Sequence, residues 1–102
     1  MSDEITASHI LIGFGAESGR SQDEAKEQIE TLKSEIVGGG DFAALARTHS
    51  DCPSSARGGD LGAFGRGMMV PEFEQAAFAL DTGAVSDIVE TNFGYHLINR
   101  TG

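Results

Sequence analysis

SDCPSSARGGDLGAFGRG, residues 50–67, is the stretch on which the fold turns. It holds five glycines, the chain's only cysteine and two arginines, with no helical periodicity and little apolar bulk. A slack linker has this composition. So does a shaped loop that carries backbone and a few side chains up to a ligand. The flanking elements decide between the two.

Upstream, residues 4–12 (EITASHILI) alternate loosely and are rich in Ile and Thr, which predicts a strand. After the loop GFGAESGR (13–20), Ser21 and Glu24 form an S-x-x-E capping box at the start of a helix. Ala25, Ile29, Leu32 and Ile36 recur at i, i+4, i+7 and i+11 as one apolar stripe, and Gly38-Gly39-Gly40 closes the helix. Asp41 caps a second, short helix over FAALARTHS, with Phe42, Leu45 and Ala46 inward. Within the glycine-rich stretch, LGAF (61–64) reads as a short strand. Downstream, Pro71 opens a third helix, PEFEQAAFAL, whose Glu72 and Glu74 suit the positive end of its dipole, and Gly83 lies just past its close. VSDIVET (85–91) and YHLINRT (95–101) read as two strands joined through Asn92-Phe93-Gly94. The order is β-α-α-β-α-β-β, an α+β arrangement in which the closing hairpin needs the first strand beside it.

The length of 102 residues fits one domain, residues 1–102, with a single hydrophobic core. The formal charge of −9 repels phosphodiester backbones and anionic lipid, so neither nucleic acid nor a membrane is an expected partner. No apolar run is long enough to span a bilayer. The N-terminus begins acidic, without the basic and apolar regions of a secretory signal, and one cysteine permits no intrachain disulfide. A cytoplasmic monomer is expected, unless the sequence was excised from a longer exported protein.

Several residues could carry chemistry. GFGAESG stands between a strand and a helix, but its G-x-G-x-x-x-G spacing departs from the dinucleotide fingerprint and suits a flexible surface loop. His9, His49, Cys52 and His96 are the right types for zinc, yet no close ligand pair occurs, so no metal is expected. His9 and His96 are unusual because each sits inside an otherwise apolar strand. A lone strand histidine is commonly a satisfied core residue. Two, in neighbouring strands, can pass a hydrogen bond between neutral imidazoles, with Thr91 as a further partner. Cys52 has the profile of a small buried hydrophobe, and neighbouring Asp51 discourages its thiolate. Met68, Met69, Phe73 and Phe78 have near-helical spacing that suits a core, although Met68 and Met69 precede Pro71 and so lie before the helix.

ASHILI (7–12), SDC-x-SSARGGDLGAFGRGMMVPEFE-x-AAFAL (50–80) and FGYHLI (93–98), in this order, resemble the parvulin family of peptidyl-prolyl cis-trans isomerases. The likeness runs from about residue 5 to 101. It implies a four-stranded antiparallel sheet flanked by about three to four helices, with a proline site on the concave face. His9 and His96 match the family's paired strand histidines, Thr91 the hydroxyl beside them, and Cys52 a position held by Cys or Asp. Leu61, Met69 and Phe73 resemble the walls that receive the proline ring, and Phe93 lies at its rim. On this reading the glycines at 58, 59, 62, 65 and 67 fold the chain tightly back over the sheet, where a Cβ would clash or strain, so the opening stretch is a shaped wall.

The sequence also departs from the family. Its phosphate-selective branch carries a basic cluster after the first strand; here Arg20 is the only cation of that loop and Glu17 opposes it. Val70 is apolar where some members place an amide, and no tryptophan is present for a WW-type module. The expectation is a rotamase that acts on Xaa-Pro bonds of peptides or unfolded protein clients without a cofactor or phospho-Ser/Thr-Pro preference. His9, Cys52, Thr91 and His96 would supply a polar network that supports the twisted amide. The alternative is a catalytically weak proline-peptide-binding or chaperone module of the same fold.

Overall fold

The structure is a computed structural model that describes residues 4–16 and 18–102. Its elements run β1 (Glu4–Ile12), α1 (Gln22–Val37), α2 (Phe42–His49), a 3-10 turn (Pro53–Arg57), β2 (Asp60–Gly65), α3 (Pro71–Ala79), β3 (Val89–Thr91) and β4 (Gly94–Arg100). The strands form one antiparallel sheet in the order β2-β1-β4-β3. The first strand therefore lies at the centre and covers the edge of the closing hairpin, as the strand order predicts.

Local signals set the helix ends. Ser21 accepts the Glu24 backbone N–H while the Glu24 carboxylate accepts the Ser21 N–H, completing the capping box. Asp41 accepts the Ala43 N–H at the start of α2, and Pro71 opens α3. Alternation along the central strands divides the interior in two. Ile10 and Ile12 of β1, with Tyr95 and Leu97 of β4, pack on Ala25, Ile29 and Leu32 of α1 and on Phe42 and Ala46 of α2. Ile5 and Ala7 of β1, with Ile98 of β4, pack on the other face against Phe64, Phe73 and Ala77. His9 and Leu11 share that second face by the two-residue period of the strand. Among the described residues no helix is long and apolar enough to cross a membrane.

Three details differ from the sequence expectation. The span 85–91 is not one strand: Val85 makes an isolated bridge to Asn99, and β3 begins only at Val89. Between them the Ser86 hydroxyl, rather than a main-chain carbonyl, takes the Ile98 N–H, and Asp87 turns outward to Lys33 of α1. The glycine-rich stretch also contains the 3-10 turn, opened by Pro53 and closed by Gly58 in the left-handed region. Finally, Gly65 is an ordinary residue of β2 paired with Glu4, whereas Gly58, Gly59, Gly62 and Gly67 have positive φ.

Gly59 is where the glycine requirement is strictest. Its carbonyl accepts the His9 N–H at 2.9 Å, its φ is +85°, and a Cβ there would stand 2.3 Å from the His9 carbonyl oxygen. Gly62 shares the positive φ, but a Cβ at that position meets nothing within 4 Å. Gly59→Ala should therefore cost upward of about 2 kcal/mol of unfolding free energy, and Gly62→Ala only about 1 kcal/mol. Urea denaturation midpoints of the two variants measure the difference, and equal losses would contradict the close-approach account.

Candidate active site

The strand register brings the two histidines together. His9 lies opposite Ile98 and His96 opposite Leu11, so the imidazoles are diagonal neighbours on one face of the β1–β4 pair. Their Nδ1 atoms are 3.1 Å apart, and the rings stack at 22° with centroids 5.3 Å apart. From α3, Phe73 sets its ring nearly perpendicular to both, with centroids 5.5 Å from His9 and 5.4 Å from His96. Thr91 continues the chain, its Oγ1 lying 2.7 Å from His96 Nε2 while accepting the Phe93 backbone N–H.

These contacts constrain the protons. A hydrogen bond between two Nδ1 atoms needs one protonated and one bare nitrogen, so a neutral pair fits. Burial pushes His9 down from 6.5 to about 4. Burial also pushes His96 down to about 4, with the neighbouring His9 charge acting in the same direction. Both rings are therefore neutral at pH 7. Whichever Nδ1 donates, His9 Nε2 remains buried without a hydrogen-bond partner among the described residues.

Around the pair is a hollow of about 500 Å³. His9, His96 and Phe73 line it together with Leu61 of β2, Met69 of the β2–α3 connection, Cys52 before the 3-10 turn and Phe93 of the β3–β4 turn. Seven of the eight residues singled out in the sequence thus line one hollow; Thr91 reaches it only through His96. Cys52 departs from the expected four-membered network. Its backbone N–H donates to Ser50 Oγ, but its thiol makes no hydrogen bond among the described residues, so the connected network is His9–His96–Thr91.

Val70, whose apolar character the sequence analysis singles out, also lines the hollow, together with Leu11, Asp51, Pro53 and Met68, to which the sequence assigns no site role. Leu11 was accessible to simple alternation, since it stands two residues after His9 on the same strand. Met68, at 67% exposure, is no core residue; it and Phe93, at 63%, are large apolar side chains left open to solvent. Asp51 is an ion-pair partner of Arg20, which also donates to the Gly13 carbonyl. Burial tends to raise the Asp51 carboxyl, but the Arg20 guanidinium and the Gly13 N–H outweigh it and hold it below the usual range. The expected Arg20–Glu17 opposition lies outside the described residues.

A histidine with a depressed folded value binds its proton more weakly than in the unfolded chain. The stability that follows is fully present above pH 6.5 and is lost as pH falls towards 4, because the unfolded state takes up protons first. Each tenfold weakening of proton binding on folding is worth about 1.4 kcal/mol, so unfolding free energy should drop by at least about 2 kcal/mol between about pH 7 and pH 4.5. His9→Phe should flatten that slope. Denaturant titrations across this range give the measurement, and an unchanged slope in the variant would contradict the neutral-pair assignment.

Comparison with known proteins agrees with this fold. Residues 9–102 match the rotamase family, PPIC-type PPIase domain. The peptidyl-prolyl cis-trans isomerase Pin1 of Digitalis lanata is 42% identical, over 99% of this chain and 98% of its own. The chaperone SurA of Burkholderia thailandensis is 46% identical over 92% of this chain, which corresponds to 20% of SurA. The solution structure of TbPIN1 superposes with a TM-score of 0.91 at 33% identity, covering all of both chains. A hollow beside paired strand histidines, on a sheet of this order, and these likenesses over nearly the whole sequence place the chain in the PPIC-type family of peptidyl-prolyl cis-trans isomerases.

Proposed function

We propose that this isomerase turns Xaa-Pro bonds by holding the proline ring among Leu61, Met69 and Phe73, with Phe93 at the rim, while the preceding carbonyl rotates. The observation that carries the reading is the hydrogen-bonded imidazole pair lining an otherwise largely apolar hollow. Rotation about the prolyl amide meets a barrier of roughly 18–20 kcal/mol, because the C–N bond must lose its resonance. A turnover of about 10²–10³ s⁻¹ requires lowering that barrier by on the order of 5–7 kcal/mol. No bond has to form or break. A planar amide has the larger dipole and gains more from water, so removing water disfavours it relative to the twisted form. His9, His96 and Thr91 supply a rigid polar base beneath this cup, and Cys52 fills its wall without attacking the substrate.

Residues 1–102 act as one domain in this account, and the clients are proline-containing peptides or unfolded chains. The likeness to a protein named as a chaperone supports such clients. The single cysteine and the charge of −9 support work in the cytoplasm as a monomer, away from nucleic acid and membranes. Phosphorylated substrates are disfavoured. A phosphate brings about −1.5 to −2 charges and needs basic partners, whereas Arg20, the only cation of residues 13–20, is engaged by Asp51.

Protease-coupled or NMR exchange assays on a panel of Xaa-Pro peptides test both parts. Ala-Pro and Leu-Pro peptides should turn over, and phospho-Ser-Pro should show no gain over Ser-Pro. A marked gain for the phosphorylated peptide would defeat the substrate assignment, and binding without acceleration would favour the weak binding module. Cys52→Ser should keep kcat/KM within about threefold, whereas loss of a true nucleophile would cost several orders of magnitude.

A further inference from the structure

Glu74 has no part in the cup itself, yet several contacts converge on it. It lies in the first turn of α3, one residue after Phe73, and its side chain is 20% exposed. One carboxylate oxygen accepts the backbone N–H of Gly67, and the other stands 4.0 Å from the Arg66 guanidinium. Arg66 in turn lies over the Phe78 ring, 4.3 Å from its centroid. Phe78 meets Phe64 edge-on, and Phe64 packs on Phe73, the ring that touches both histidines.

Gly67 stands within the connection from β2 to α3, residues 66–70, with a φ of +86°. That connection brings Met68, Met69 and Val70 to the hollow. Besides the Arg66–Phe78 contact and the packing of Met69 and Val70 on the core, its other hydrogen bonds among the described residues are weak or terminal: Met68 Sδ accepts the Gly65 N–H, and the Val70 carbonyl accepts the Glu74 N–H. A carboxylate that accepts a main-chain N–H makes a charge-assisted bond, stronger than either kind of bond between neutral partners. We propose that Glu74 is a positioning residue for isomerisation, its carboxylate pinning the Gly67 amide and so fixing the Met69 side of the cup. The proposal rests on the reading of that cup as the proline-ring site.

An acidic residue in the first turn also favours the helix through its dipole, whether or not it positions anything. The two roles separate by chemistry. Glu74→Gln keeps an oxygen acceptor for the Gly67 N–H but loses the charge, whereas Glu74→Ala loses both. Helix stability follows the charge, and placement of the connection follows the acceptor.

The experiment measures kcat and KM on an Ala-Pro peptide, the urea midpoint and the hydrogen exchange of the Gly67 amide in both variants and in Met69→Ala. Glu74→Ala should lose about tenfold in kcat/KM, chiefly through KM, and should lose protection at Gly67. Glu74→Gln should keep that protection and stay within about threefold in kcat/KM, although both variants lose stability. An Ala variant with unchanged kcat/KM, or a Gln variant as impaired as Ala, would overturn the proposal. Should Glu74→Ala fail to fold, the wild-type Gly67 amide decides, since exchange as fast as in an open loop is incompatible with a pinned connection. Met69→Ala with unchanged kcat/KM would instead overturn the reading of the cup, independently of Glu74.

Discussion

The hydrogen bond between His9 and His96 depends on pairing across nearly the whole sequence, and the rest of the site is arranged around it. Forming it requires the first strand to lie beside the last, which the β2-β1-β4-β3 order provides. It also requires at least one uncharged ring, and burial, which lowers both to about 4, leaves both neutral at pH 7. Two buried imidazolium ions 3.1 Å apart would repel each other as well as lose their hydration. Thr91 ties down the far nitrogen of His96, and the edge-on Phe73 ring closes the pair from the α3 side. A polar element held this rigidly can sit beside a proline ring without reorganising during the turn, which is what preorganised stabilisation of a transient geometry requires.

One wall of the cup is set by the main chain of the same strand. Gly59 passes so close to the His9 carbonyl that only a residue without Cβ fits, and its own carbonyl takes the His9 N–H. The strand that carries the catalytic-site candidate thus also fixes the end of the loop that brings Cys52 and Leu61 to the hollow. On the opposite side, Phe64, Phe73 and Phe78 join the sheet, α3 and the base of the connection that holds Met69. Apolar contact supplies the shape, and a few hydrogen bonds set where it stops.

What the sequence made legible followed from signals that act within a few residues. The capping box at Ser21 and Glu24, the Asp41 cap and Pro71 act within one turn, and the structure places helices there. Alternation in EITASHILI gave β1 its bounds and implied that His9 and Leu11 share a face, an implication needed to bring Leu11 into the hollow. Features that depend on distant partners were hidden. β3 begins only at Val89 because the Ser86 hydroxyl, in place of a main-chain carbonyl, takes the Ile98 N–H. Arg20 meets Asp51 across 31 positions, a pairing that no local pattern announces. The family resemblance brought Cys52 and Thr91 to the same site, but only side-chain geometry showed that the thiol stands outside the hydrogen-bonded chain while the hydroxyl lies within it.

In the proposed mechanism a neutral imidazole pair, sharing one hydrogen, supports the twisting amide without a covalent step. Nitrogen-15 NMR of the two imidazoles at pH 7, free and during turnover of a proline peptide, tests it most directly. One protonated and one bare Nδ1 are expected across the His9–His96 contact, with both rings uncharged in each condition. An imidazolium in either ring, or hydrogens on both Nε2 atoms with none in the bridge, would contradict it.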